Sequence, residues 1–95
     1  MTDAYAILRN AAANRFETVV EGYSCVLEYR LDGDVLAIDH VFVPDAVGGR
    51  GIAAALTKAA LDAARAEGWR VVPNCPYAAA YIARHPAYAD LLSRD

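Results

Sequence analysis

The sequence predicts an α+β fold: a mixed, mostly antiparallel sheet in which a β-meander is followed by a β-α-β-α unit. Three observations carry this prediction. Apolar and polar residues alternate with period two through much of the first half, Gly51 to Glu67 switches to a helical period, and a glycine-rich turn marks the change. A chain of 95 residues makes one domain, residues 1–95, so any site must share the scaffold of a single core. Hydrophobic residues make up 57% of the chain, and many are alanine, which suits closely packed backbones.

The elements follow in order. Ala4–Asn10 fits an edge strand or a short helix, with the strand the preferred reading. Arg15–Val20 alternates, with Phe16, Thr18 and Val20 on one face. After Glu21–Gly22, the run Tyr23–Leu31 alternates again, with Cys25, Leu27, Tyr29 and Leu31 pointing one way. Asp32–Gly33 between alternating runs predicts a tight hairpin whose central residues both need positive φ. Val35–Val43 is nearly all apolar, which predicts a central strand covered on both faces, and Pro44 ends it. From Gly51 to Glu67, Ile52, Leu56, Ala59, Ala60, Ala63 and Ala64 share one helical face, with Thr57, Lys58, Asp62 and Arg65 opposite. Gly68 suits the position that ends this helix. Trp69–Pro73 reads as a short buried strand. A second helix starts near Pro76 and runs to about Arg84, and Tyr88, Leu91 and Leu92 predict a last helical turn docked on the core.

Composition excludes several function classes. Twelve acidic residues against nine basic ones give a net charge of -3, so there is no basic field for phosphates and no nucleic-acid partner is expected. No run approaches the roughly 18 apolar residues of a membrane span, and MTDAYAILRN lacks a basic start followed by a long apolar stretch, so no secretory signal is expected. Cys25 and Cys75 do not make a disulfide framework, so free thiols in a cytoplasmic protein are the expectation. No metal site is expected.

The chemistry-bearing stretch is VFVPDAVGGRGIAAAL, residues 41–56. A strand runs into a glycine turn and the turn into a helix. Main-chain N–H groups of such a turn converge with the unpaired donors of the helix start, where the macrodipole adds roughly half a positive charge. Phosphate is the natural guest, glycine lets it come close, and Arg50 offers a charged bond. A Walker A loop is excluded because no Lys-Ser/Thr follows, and the dinucleotide fingerprint is missing. The bland alternative is a tight strand-to-helix connection with no ligand.

VGGRGIAAAL is similar to the acyl-CoA pyrophosphate loop of the GNAT superfamily of N-acetyltransferases, Gln/Arg-x-x-Gly-x-Gly/Ala. Gly51 matches the central glycine and Ala53 the last small residue; Gly48 departs from the expected Gln or Arg. HVFVP, ALDAARAEGWRVVPNCPY and YIARHPAYADLL extend the likeness from about Phe16 to Leu92, and resemble the compact YjdJ-type branch of that superfamily. The resemblance implies the GNAT-like fold and acetyl-CoA as co-substrate. It implies a pyrophosphate cradle over Gly48, Gly49, Arg50, Gly51, Ile52 and Ala53, centred on the backbone from Gly49 to Ala53. It also implies a gap between Val41–Val43 and Trp69–Pro73 in which the backbone of Phe42 and Val43 bonds the pantetheine arm.

VVPNCPY, residues 71–77, is the second signal. Cys75 falls where a strand ends and a helix starts, a place that favours thiolate. It reads as an acyl-accepting nucleophile, as a pocket-lining residue beside direct amine attack, or as a small buried residue at a tight junction. Asn74 is a candidate cap of the second helix or, by resemblance, a contact to the arm. Tyr77 and Tyr81 share a helical face, where one could protonate the leaving thiolate or both could simply pack. His40, placed with Leu36, Ile38 and Phe42 on its face, is a candidate base or equally a structural histidine bonded to a backbone carbonyl; Glu28 and Asp39 are other candidate bases. His85 is expected to meet the last helical carbonyls, and Cys25 to pack in the core. The function expected is acetyl transfer from acetyl-CoA to a primary amine on a protein or small molecule, by a monomer or weak dimer. The alternatives are a CoA- or acyl-CoA-binding module without transfer, and an interaction domain with an incidental glycine turn.

Overall fold

The structure is a computed structural model and describes residues 5–93. Five strands form one sheet in sequence order: β1 (Leu8–Asn10), β2 (Arg15–Val20), β3 (Tyr23–Asp32), β4 (Val35–Phe42) and β5 (Arg70–Pro73). The first four pair antiparallel, and β4 pairs parallel with β5. The mixed sheet expected from the sequence is therefore the sheet observed. Its first strand is shorter than expected: Tyr5–Ile7 lie outside it, and Ala4 lies outside the described residues.

The hairpins set the register. Glu21 and Gly22 join β2 to β3, opposite the pair Val20 and Tyr23, with φ of 51° and 82°. Both central residues are left-handed, as a two-residue turn of this hand requires. The β3–β4 loop is not Asp32–Gly33. Asp32 pairs with Val35, so the loop is Gly33–Asp34, and among its residues only Gly33 has positive φ, at 62°. Glycine at the first central position satisfies the alternative turn, which needs only one left-handed residue.

A bulge in β4 corrects two expectations. Glu28 pairs with His40, but the next residue, Tyr29, pairs with Ile38, which leaves Asp39 as an extra residue. Such an insertion turns the following side chains to the other face. Leu36 and Ile38 are fully buried, but beyond the bulge it is Val41 and Val43 that pack against the core, while His40 is exposed and Phe42 is 50% exposed. His40 and Phe42 thus do not share a face with Leu36 and Ile38. Nor is β4 covered on both sides: Glu28, Arg30 and His40 look out to solvent, as one face of an antiparallel sheet can.

Helix α1 (Ile52–Glu67) packs across β2 to β5. Its buried residues are Ile52, Leu56, Thr57, Ala60, Leu61 and Ala64. Thr57, expected on the solvent side, is fully buried, with its hydroxyl donating to the Ala53 carbonyl at 2.8 Å. The reason is that α1 also meets α2 (Pro76–Arg84) and the 3-10 segment Pro86–Leu91, so its apolar stripe is wider than one sheet-facing row. Gly68 closes α1 in the left-handed conformation, at φ 77°. The end segment is clasped onto α1. The Tyr88 hydroxyl donates to Asp62 at 2.7 Å, and burial, then that carboxylate, pushes the phenol up to about 12. Beyond it the Ser93 amide donates to the Val71 carbonyl at 2.9 Å, covering the free edge of β5. Cys25 is fully buried in the core, and burial pushes its thiol up.

Because β4 and β5 are parallel, α1 and α2 both start at the same end of the sheet, beyond the carboxyl ends of the two strands. That end of an open sheet is where ligands gather.

Candidate functional site

The glycine turn presents main-chain donors. Pro44 leads into a 3-10 turn, Asp45–Val47, whose Val47 side chain is fully buried and anchors it. The Val47 and Gly48 amides are engaged by the Pro44 and Asp45 carbonyls, at 3.0 and 3.1 Å. The first bond into α1 is Ala55 N–H to the Gly51 carbonyl at 3.0 Å. Between them, the amides of Gly49, Arg50, Gly51, Ile52, Ala53 and Ala54 donate to no group among the described residues. Gly49 and Gly51 both have φ of 76°, a conformation that disfavours other residues, and a Cβ there would meet open space. Gly48 has an ordinary φ of -67°, and its amide is already engaged. The row of free donors therefore starts one residue after it.

The loop is also held from outside. The Tyr5 hydroxyl donates to the Arg50 carbonyl at 2.7 Å, and the Arg50 guanidinium pairs with Glu21, which raises the guanidinium's pKa. Neither partner stood out in the sequence. Glu21 carried one signal: it occupies a left-handed turn position that Asn or Asp fills more cheaply. Tyr5 and Glu21 also line an open concavity of about 660 Å³ with Leu8, Thr18 and Val20. It lies along β1 and β2, to one side of the glycine loop.

At the other junction, β4 and β5 part. Their register ends at the pair Ile38 and Pro73, while β4 continues to Phe42. Asp39 and Asn74 are the next residue on each side, and they bond: the Asn74 Nδ2 donates to an Asp39 carboxylate oxygen at 3.0 Å. Arg30 grips the same carboxylate through two bonds, of 2.6 and 3.1 Å. The Arg30 guanidinium, then Asn74, holds the Asp39 carboxyl below the usual carboxylate range. Asn74 therefore does not cap α2 with its side chain. Cys75 is the residue at that cap position. Its side chain makes no capping bond, its amide donates to the Ile38 carbonyl at 3.0 Å, and the residue is only 7% exposed. Pro76 has no N–H, and the Tyr77 and Ala78 amides donate to no group among the described residues.

Comparison with known proteins gives the chain its family. A family model described as GCN5-related N-acetyl-transferase matches residues 15–91. The chain belongs to the GCN5-related N-acetyltransferase family. Among solved structures, the NMR solution structure of a GCN5-like N-acetyltransferase candidate from Staphylococcus aureus has a TM-score of 0.73 to it. The two are 25% identical, with 97% of this chain and 91% of that chain covered.

In this GCN5-related chain the other candidate residues are dispersed. His40 and Glu28 face each other across β3 and β4 on the open side of the sheet. Phe42 is half exposed, and Val43 packs against the core. Tyr77 stands at the start of α2, 39% exposed. Tyr81 is one turn further in, 9% exposed, and stacks on the His85 ring with centroids 4.0 Å apart. His85 Nδ1 lies 2.8 Å from the Tyr81 carbonyl, the contact with a late helical carbonyl expected of it. Tyr88 flanks the same cluster, 6.3 Å from Tyr81. Among the described residues no group of three His, Cys, Asp or Glu side chains is placed to hold a metal ion, and no helix is long and apolar enough to cross a membrane.

Proposed function

We propose that this protein transfers an acetyl group from acetyl-CoA to a primary amine. The observation that carries the reading is the row of unengaged amides from Gly49 to Ala54 at the start of α1. Such donors, at the positive end of a helix and with glycines at the two left-handed positions, suit a pyrophosphate. The residues present therefore fit the group. The amides of Gly49, Arg50, Gly51, Ile52 and Ala53 would hold the diphosphate, with Gly48 shaping the turn. Arg50 would exchange Glu21 for a phosphate oxygen. The backbone of Phe42 and Val43, past the point where β4 leaves β5, would bond the pantetheine arm as an added strand does. Asn74, Cys75 and Tyr77 would line the other side of the gap. Acetyl-CoA supplies the activated thioester, and the protein's part is orientation and proton handling.

Of the two chemical routes, direct attack by the amine suits this site better. A nucleophilic thiol needs open access, and Cys75 is only 7% exposed. His40, on the open face, is suited to take the ammonium proton directly or through water. Tyr77 is the more exposed tyrosine at the start of α2. It is a better placed proton donor to the leaving thiolate than Tyr81, which is stacked on His85. The acceptor is an amine on a protein or a small molecule, and the protein works as a monomer or weak dimer in the cytoplasm.

The test has two stages. Saturating CoA, at 100 times its Kd, should stabilise the fold by about 2.7 kcal/mol. At ~4–8 °C per kcal/mol, that is a clear rise in melting temperature for a small domain. Acetyl-CoA consumption is then measured with a panel of protein and small-molecule amines. A rise with CoA but no consumption with any amine would leave a binding module; no rise at all would leave an interaction domain.

A further inference from the structure

The gap between β4 and β5 is closed at its base by one main-chain bond and one side-chain bond. The strand register stops at Ile38 and Pro73, one last main-chain bond runs from the Cys75 amide to the Ile38 carbonyl at 3.0 Å, and beside it the Asp39–Asn74 bond crosses at 3.0 Å. Asp39 is available for it because of the β4 bulge, which inserts this one residue between the core-facing Ile38 and the outward His40. Arg30, on the neighbouring strand, fixes the carboxylate with two bonds. Asn74 is steadied further by its own amide, which donates to the Val72 carbonyl at 3.1 Å.

A side-chain amide has two unlike ends, and a carboxylate can only accept. Asp39 therefore dictates which end of Asn74 it meets: Nδ2 faces Asp39, and Oδ1 is the end turned away. Oδ1 has no partner among the described residues. We propose that Asp39 is a positioning residue, which orients the Asn74 amide so that its Oδ1 accepts a hydrogen bond from an N–H of the pantetheine arm. The inference rests on the acetyl-CoA reading above. It adds a reason for the bulge: the extra residue puts a carboxylate at the one place where it can orient Asn74. Asp39 itself need not touch the ligand, and no proton passes through it.

The experiment compares CoA with ADP, which offers a pyrophosphate without the arm. Titration calorimetry on the wild-type protein comes first; if it binds neither ligand, the acetyl-CoA reading and this inference fall together. Given wild-type binding, Asp39→Asn supplies both a donor and an acceptor at that position and no longer dictates the amide's orientation. It should weaken CoA about tenfold, the scale of one hydrogen bond, and leave ADP unchanged. Asn74→Ala should do the same, and the double variant should lose no more than either single one, because both remove one contact. Arg30→Gln keeps the carboxylate and should hold CoA affinity within about threefold. The Asn74 side-chain NH₂ resonances in an NMR spectrum should shift in Asp39→Asn and stay in Arg30→Gln. Unchanged CoA affinity in Asp39→Asn overturns the proposal. So do equal losses for CoA and ADP, additive losses in the double variant, or unmoved Asn74 resonances.

Discussion

The two strand-to-helix junctions at the working end of the sheet are built on opposite plans. The first, between β4 and α1, is almost all main chain: two left-handed glycines, a row of free amides, and one arginine drawn aside by Glu21. The second, between β5 and α2, is tied to the neighbouring strand by a side-chain bond, Asn74 on Asp39, and by the amide of the buried Cys75 on the Ile38 carbonyl. The difference follows from what each would meet. A diphosphate needs many weakly directional donors, which a helix start and glycines supply whatever the side chains are. An amide-bearing arm and a thioester have fixed donor and acceptor positions, so specific side chains must be oriented. The first junction should therefore respond to changes in backbone freedom and charge, and the second to single atoms.

The largest expected effect tests the main-chain plan. Gly51→Val places a β-branched residue at φ 76° with its Cβ in the open space in front of the donors. The backbone cost is ~1–2 kcal/mol, or roughly 4–16 °C in melting temperature at ~4–8 °C per kcal/mol. CoA affinity should drop by about tenfold or more, because the close approach is lost. A variant that melts lower yet binds CoA as well as wild type would show that the loop is only a connection. Next comes Cys75→Ala at the second junction. Direct transfer predicts kcat within about tenfold of wild type and no acetylated protein by mass spectrometry after acetyl-CoA alone. A loss of many orders of magnitude, or a trapped acetyl adduct in the wild type, would restore the covalent route.

How much of this was legible depended on the distance over which each signal acts. The bounds of β2 and α2, and the end of α1 at Gly68, follow from alternation, a proline at the first helical position and a glycine cap. All are local, and the structure has them where the sequence put them. The bulge at Asp39 was hidden because Val35–Val43 is apolar on both parities, so the pattern could not register a change of face. The rotation of α1 that buries Thr57 and Leu61 was hidden for a related reason: alanine on every side gives little contrast. The glycine turn and the Cys75 segment stood out as sequence. The contacts that hold them did not, because Glu21 is 29 residues from Arg50, Tyr5 is 45 away, and Asp39 is 35 from Asn74.

Glu21→Asn tests the charge side of the first junction. Asparagine suits the left-handed turn better than glutamate, so the melting temperature should hold or rise slightly. Arg50 loses the carboxylate that competes with a phosphate. Breaking an exposed pair of this kind is worth ~0.2–1 kcal/mol, so CoA should bind up to about fivefold more tightly, with ADP gaining alike. Weaker binding of both would mean that the pair holds the loop in its receptive form instead of competing with the ligand. A gain for CoA alone would place Arg50 on the arm and not on the diphosphate.

The smallest effect separates the junctions by pH. The Asp39 carboxyl lies below its ordinary value of 3.8, held there by Arg30 first and Asn74 second. A carboxyl with a folded value below its unfolded one stabilises the fold above the unfolded value, and the contribution fades as pH falls through the folded value. It should be complete above about pH 5 and disappear in stages below about pH 4. Its size is small, because the Arg30 side chain is 70% exposed and that of Asp39 32%, so solvent screens the pair. Asp39→Asn should therefore flatten part of the acid limb of a melting-temperature profile, with Asp62 and Asp90, which are also held low, keeping the remainder. Gly51→Val should lower the same profile by a constant amount at every pH, because backbone strain does not titrate. If Asp39→Asn also shifts the profile uniformly and leaves the acid limb unchanged, then the carboxylate's charge contributes nothing to the closure at the base of the gap. Asn74 would then be held by the uncharged part of that hydrogen bond and by its own amide on the Val72 carbonyl.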